Sequence, residues 1–210
     1  MGRQTRLHGR GADRAHARPD WLRQHRARDF ARLAQPFELH QVAYDPYASA
    51  SAAANLGVTL VDLETLLRTS DFVCIACALT PETHHLLNAE RLALLQPSAF
   101  LINVARGPII DQAALTAALI DGRLQGAGID VFEREPVDPA DPLLALPNVI
   151  ATPHALGWTD ECFAGMGRSA CAGIIAVARG QVPSHVINNA VIAMPLLYQK
   201  LQRYGEQGAR

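Results

Sequence analysis

No uninterrupted apolar run in this chain approaches the roughly 18 residues a membrane span needs, so no membrane segment is expected. Cysteine is scarce, with four residues in 210. Cys74 and Cys77 form a C-x-x-C, but inside the apolar run FVCIACAL, where a buried strand is the expected context. No second Cys or His pair sits at zinc-finger spacing, so neither a metal nor a redox site is expected. Four thiols without a framework fit a reducing compartment, and a cytoplasmic location is expected. An apolar signal core is lacking, and the Arg-rich start carries Asp13 and Asp20 with little Ser or Leu, unlike a transit peptide. Net charge is also nearly absent, at −1, which argues against a bulk nucleic-acid binder. What is present is core-forming material: 49% hydrophobic and 19% charged residues, enough for one full domain or one domain plus remnants.

The near-neutrality hides an asymmetry. Residues 1–35 hold nine Arg and three acids, whereas the rest holds ten basic and seventeen acidic residues. A basic arm for RNA or DNA is one reading of that start, but beyond Trp21 and Phe30 it has no aromatic interleaving.

From residue 36 onward, short apolar runs alternate with helical ones. LHQVAYD (39–45), DFVCIACAL (71–79), AFLINVA (99–105), LQGAGIDVF (124–132) and NVIAT (148–152) read as strands. VDLETLLRT (61–69), NAERLALL (88–95) and DQAALTAALIDG (111–122) read as helices, with Asn88 and Asp111 as caps and Gly122 as a stop. A longer helix is expected over about 159–179, then a short helix and a frayed tail. Strands apolar on both faces, alternating with helices, imply a doubly wound α/β fold around a parallel sheet.

Ligands in such sheets bind beyond the carboxyl ends of the strands. Those ends carry Asp45, Thr80-Pro81, Ala105-Arg106-Gly107, Asp130 with Glu133 and Glu135, and Pro153-His154. An edge collecting an Arg, a carboxylate pair and a His is chemistry-bearing. The segments INVARGPIID, GAGIDVFEREP and NVIATPHALGWTDE, with LTPETHHLLN before them, resemble the signature segments of the D-isomer-specific 2-hydroxyacid dehydrogenases, the group containing phosphoglycerate dehydrogenase. The resemblance covers about residues 36–190. It implies an NAD-dependent oxidoreductase acting on a small D-2-hydroxy or 2-keto acid, working as a homodimer.

Carried onto this chain, the resemblance makes Arg106, Glu135 and His154 the catalytic set, at separations of 29 and 19 residues. The roles are chemically coherent. A guanidinium fork holds the substrate carboxylate, an imidazole near neutrality donates the proton to the nascent alkoxide, and a carboxylate orients that imidazole. Glu133 is the rival to Glu135, but the family places its acid directly before Pro136. His84 and His85 are expected to face solvent. On the cofactor side, Asp45 stands where this fold places an acid against the adenosine ribose. Its charge, with no Arg in PYASAS after it, favours NAD over NADP. The resemblance lines the nicotinamide side with Val104, Ala105, Arg106, Asp130 and His154-Ala155-Leu156-Gly157.

One departure is serious. The family has a strand and a G-x-G-x-x-G turn before the helix containing ARDFARLAQPF, whereas this chain reads RAHARPDWLRQHRARDF there. The first strand and glycine turn are therefore expected to be lost or disordered, and the substrate-binding segment before them is missing too. The codons suggest a cause. Trp21 is TGG, and read one base later it yields Gly; degeneracy then permits Arg18–Ala27 to be reread as Gly-Leu-Ile-Gly-Ser-Gly-Asn-Ile-Gly-Arg. The last of those glycines falls 19 residues before Asp45, near the ~20 of the fingerprint. The domain reading follows: 1–28 a possible frameshift product, 29–182 an NAD-binding domain, 183–210 a remnant of the substrate domain. Such an N-terminally truncated chain is expected to bind NAD poorly. The alternative from another class is a non-catalytic, corepressor-like NAD sensor.

Overall fold

The computed structural model describes residues 3–7, 37 and 39–208. Seven parallel strands form one sheet: β1 (Arg3–Leu7), β2 (His40–Tyr44), β3 (Val58–Leu60), β4 (Phe72–Ile75), β5 (Phe100–Asn103), β6 (Gly126–Ile129) and β7 (Val149–Ala151), in the order β3-β2-β1-β4-β5-β6-β7. The order reverses between β1 and β4, the topological switch point at which doubly wound sheets open a ligand crevice. Five strands, β2 and β4 to β7, lie where the residue pattern puts them, shortened to their hydrogen-bonded cores. β4 keeps Val73, Cys74 and Ile75 buried, and Ala76 and Cys77 continue that burial beyond the ladder.

The expected loss of the first strand is corrected: Arg3–Leu7 fills the central place, pairing with β2 from Arg3↔His40 to Leu7↔Tyr44 and with β4 from Gln4↔Phe72 to Leu7↔Ile75. Without it, β2 and β4 would each leave a row of backbone donors and acceptors unpaired in the middle of the sheet. Ladder bonds do not depend on side-chain type, so RQTRL satisfies them without the apolar pattern that marks a strand buried on both faces. Gly9 and Gly11 come two and four residues after Leu7 in the sequence. The expectations about the glycine-rich turn and about residues 8–28 lie outside the described residues.

The helices are α1 (Ala50–Ala54), α2 (Leu63–Thr69), α3 (Ala89–Leu92), α4 (Gln112–Ile120), α5 (Asp160–Ala178) and α6 (Pro195–Gly208). Their starts obey capping chemistry. The side chains of Asp62, Asn88, Asp111 and Thr159 accept from the amides of Thr65, Arg91, Ala114 and Cys162. Gly122 leaves α4 at φ +67, a conformation that costs glycine nothing. α1 and β3 have no counterpart in the sequence reading, and α6 is a 14-residue helix instead of a short one with a frayed tail.

Two compact units divide the chain: the sheet with its helices, ending at Leu156, and a second unit that takes in α5 and α6 from Gly157 onward. The main core of the first unit gathers Leu66, Leu67, Ile75, Leu101, Ile109, Leu115 and Leu143. A second, small cluster holds Ala43, Ala53 and Val58 near β2 and β3. In the second unit, α5 has no buried residue. At 19 residues and mean hydropathy 1.2 it is long and apolar enough to cross a membrane by length and composition alone, which corrects the expectation that no such element exists. Ala and Cys supply much of that hydropathy, Gly dilutes it and Arg168 interrupts it, so no run of large aliphatic residues betrays it in the sequence.

Candidate active site

The register sets the tips of β5, β6 and β7 side by side, with Asn103 opposite Ile129 and Ile129 opposite Ala151. Each strand releases a polar residue within three positions of its end: Arg106, Asp130 and His154. Asn103 shapes the first exit. It is 1% exposed; its Oδ1 accepts from the Ala105 N–H and its Nδ2 donates to the Arg106 carbonyl, both at 3.0 Å. A fully buried polar side chain needs such partners, and these two bend the chain so that Ala105 turns inward and Arg106 outward. Arg106 also donates from Nη1 to the Ala105 carbonyl at 2.6 Å. Gly107 follows because nothing larger fits: an added Cβ would lie 1.8 Å from the Phe132 carbonyl oxygen and 2.4 Å from Glu133 N. The turn after Arg106 is therefore pressed against the backbone that leads to Glu135.

Asp130 organises the third exit. Buried to 5% exposure, its Oδ1 accepts from Thr152 Oγ1 at 2.6 Å and from the Ala155 N–H at 3.0 Å. Thr152 extends the ladder through its amide to the Ile129 carbonyl, and the His154 N–H donates back to the Thr152 carbonyl across Pro153. This tight turn places His154 at φ +56, a left-handed conformation that is uncommon outside glycine. The ring then meets Glu135: Nδ1 lies 2.9 Å from Glu135 Oε2, and Glu135 Oε1 accepts from the Phe132 N–H at 3.0 Å.

Charge confirms what distance shows. Burial pushes the Glu135 carboxyl up, but hydrogen bonds from His154 and the Phe132 amide, with the positive fields of His154 and Arg106, outweigh it and hold the group below the usual carboxylate range. Arg106, Glu135 and His154 thus form one electrostatic group. Asp130 is tied to the same segment through Ala155. Val104 is partly exposed and Ala105 buried beside Arg106, while Leu156 is exposed. Gly157 is exposed and belongs to the second unit. Asp45 is brought elsewhere. It sits half-buried beyond β2, on the far side of the switch point, and its Oδ1 accepts from the Tyr47 N–H at 2.9 Å.

The geometry also separates the two acids. Glu133 turns away from His154: its Oε1 lies 2.7 Å from His85 Nε2, and its Oε2 accepts from the Gln112 N–H at 3.1 Å. The expectation that both His84 and His85 merely face solvent is corrected for His85: its backbone sits at φ +48, its N–H donates to the Pro108 carbonyl and its partly exposed ring pairs with Glu133. Asn103, Gly107, His85 and Gln112 were not singled out by the residue pattern. Only Asn103 left a signal there, as a polar residue closing an apolar strand.

Comparison with known proteins identifies the family. The family described as D-isomer specific 2-hydroxyacid dehydrogenase, NAD binding domain matches residues 25–155. A glyoxylate/hydroxypyruvate reductase B of Enterobacter agglomerans is 46% identical over 141 residues, which is 67% of this chain and 44% of that protein. A glyoxylate reductase of Korarchaeum cryptofilum is 41% identical over 162 residues, 77% of this chain and 49% of that one. Among solved structures, a D-lactate dehydrogenase with NAD+ from Lactobacillus jensenii superposes with a TM-score of 0.72 at 26% identity, covering 88% of this chain and 56% of that one. The chain spans about half the length of the curated relatives it matches. With the family's domain matched across most of the sheet-bearing unit, this chain belongs to the D-isomer specific 2-hydroxyacid dehydrogenases, by way of their NAD-binding domain.

Proposed function

We propose that the chain serves an NAD-dependent oxidoreductase of the CH–OH group, reducing a small 2-keto acid to the D-2-hydroxy acid. The carrying observation is the His154 Nδ1–Glu135 Oε2 pair at 2.9 Å within the field of Arg106. With Nδ1 held by a carboxylate, Nε2 is the ring nitrogen left to face a substrate, and it gives its proton to the carbonyl oxygen as that oxygen gains charge. Glu135 fixes the orientation of the ring. Arg106 grips the substrate carboxylate through its N–H fork, which sets the carbonyl between His154 and the cofactor's face. A non-catalytic sensor has no use for this acid–base set.

The residues present fit a nicotinamide dinucleotide. Asp130 is buried with both of its donors on Oδ1, Ala105 and Val104 offer main chain beside Arg106, and Asp45 lies at the β2 tip where a ribose is met in this fold. The bound nicotinamide supplies the hydride. Asp45 favours NAD over NADP because its charge repels a 2′-phosphate. Within the same reading, residues 29–182 together with β1 form the NAD-binding domain, 183–210 are a remnant of the substrate domain, and the protein works in the cytoplasm as a homodimer without nucleic acid or membrane. The exposed apolar residues of α5 supply surface that a second copy would cover.

A change of reading frame near codon 28 belongs to this proposal too. Residues 18–27 lack the three spaced glycines of the phosphate-binding fingerprint. The test compares NADH oxidation over a panel of 2-keto acids, and NAD binding by calorimetry, for this chain and for one with the frame restored. Turnover and tight binding are expected only after restoration. Micromolar NAD binding by the 210-residue chain, or no activity from the restored one, overturns the respective part.

A further inference from the structure

We propose that Glu133, clasped by His85 and Gln112, is a positioning residue that fixes Arg106 and Glu135 relative to one another. The inference rests on the catalytic reading above and extends it to residues to which that reading gives no role. Both carboxylate oxygens of Glu133 are engaged, Oε1 with His85 Nε2 at 2.7 Å and Oε2 with the Gln112 N–H at 3.1 Å. Gln112 returns the contact, its Oε1 accepting from the Glu133 N–H at 2.9 Å, while its Nε2 donates to Asp141 Oδ2 at 2.7 Å. Asp141 in turn caps the 3₁₀ turn Pro142–Ala145 through the Leu143 N–H. Four side chains from four separate segments thus meet around one peptide, Phe132–Glu133.

That peptide is the hinge on which the site depends. On its amino side the Phe132 N–H holds Glu135 Oε1. The Phe132 carbonyl lies against Gly107, where no Cβ fits, one residue from Arg106. His85 fastens the same turn from its other side, through its N–H to the Pro108 carbonyl. An exposed ion pair contributes little by itself. This one differs because two reciprocal bonds share it, the Gln112 N–H to the Glu133 carboxylate and the Glu133 N–H to the Gln112 side-chain carbonyl, and because its release frees the segment carrying Glu135 from the turn carrying Arg106. A left-handed backbone at His85 persists only where surrounding contacts over-determine it, as they do here.

The test reads the titration midpoint of the Glu135 carboxyl by ¹³C NMR on the intact 210-residue chain, with thermal melting in parallel. In the wild type the midpoint is expected below the usual carboxylate range, as the bonds from His154 and the Phe132 amide require. Removing a nearby negative charge would by itself lower it further, so any rise in Glu133→Ala reports lost geometry rather than lost charge. The expected result is a rise of about half a pH unit or more in Glu133→Ala. A smaller rise is expected in the neutral change Gln112→Ala, and none in His85→Gln, which keeps a donor toward Glu133. Should Glu133→Ala fail to fold, Gln112→Ala carries the test. His154→Ala is the control for the site itself and raises the midpoint by removing the ring that bonds Glu135. A rise there with none in Glu133→Ala or Gln112→Ala overturns the clasp and leaves the catalytic reading standing. No rise in His154→Ala overturns that reading.

Discussion

The two halves of the sheet, on either side of the crossover between β1 and β4, are built to different standards. From β4 to β7, large aliphatic residues fill a continuous core, with Ile75, Leu101, Ile109 and Leu115 essentially excluded from solvent. The loops above that half are fastened by buried Asn103 and Asp130 and by the Glu133 clasp. The β2–β3 half has Ala43, Ala53 and Val58 as its buried cluster, with Leu56 and Leu60 packed against it. Above it, Asp45 makes a local turn. The difference follows the chemistry each half is asked to do. Proton transfer needs donor and acceptor placed to within about half an ångström, whereas the adenosine end of a dinucleotide asks only for a few hydrogen bonds on a surface of the right shape.

Function should show this contrast most strongly. In the protein with its frame restored, His154→Gln is expected to cut turnover by roughly 10²- to 10⁴-fold, the usual share of a general acid. Asp45→Ala, in the lighter half, is expected to weaken cofactor binding by about tenfold, the worth of one hydrogen bond to a charged group, with turnover at saturation nearly kept. Steady-state NADH oxidation at varied cofactor concentration measures both. Equal losses of turnover in the two variants would erase the distinction.

Stability should follow the same division. Leu101, on β5 and fully buried, is expected to cost about 2–5 kcal/mol on truncation to Ala, as a core leucine that leaves a cavity. Val58→Ala, in the small cluster, is expected to cost roughly 1–1.5 kcal/mol, the transfer free energy of the carbons removed. Urea unfolding of both variants tests the ranking. Gly107→Ala falls between them, at about 1–3 kcal/mol of overpacking, because its Cβ meets the Phe132 backbone rather than a yielding side chain. It should also loosen the turn beside Arg106, so amide exchange at Phe132 is expected to quicken even where the chain stays folded.

How much of this was legible in the residues depends on what signalled each part. The apolar strands β4 to β7 and the caps at Asn88 and Asp111 announce themselves, since burial on both faces and capping chemistry both demand particular residue types. Arg106, Glu135 and His154 stand in motifs at strand tips, and the fold brings them together because adjacent parallel strands end in register. What stayed hidden depends on the backbone or on distant partners. β1 is held by ladder bonds that accept any side chain, so RQTRL carries no mark of it. α1 and β3 are five and three residues long, too short to develop a period. His85 and Glu133 are 48 residues apart, and nothing in either local sequence says that they meet.

The smallest expected effect concerns acid. The folded-state value of Glu135 lies below its ordinary 4.5. A carboxylate depressed by folding contributes stability that is fully present above the unfolded value and is lost as pH falls through the folded one. Glu135→Gln should therefore be less stable than the wild type at neutral pH, and the gap should close as the solution is taken below about pH 4.5. Asp62, held down by Thr65, and Glu82, held down by the Thr80 hydroxyl, also steepen the acid limb, but they do so in both proteins and cancel in the difference. Since the Glu135 side chain is 39% exposed, solvent screens its partners and the gap is expected to be modest. A gap that widened toward low pH would mean that Glu135 takes up its proton more readily in the folded chain than in the unfolded one. The pairing with His154 would then not be what holds the acid in place, and the denser half of the sheet would have to owe its order to packing alone.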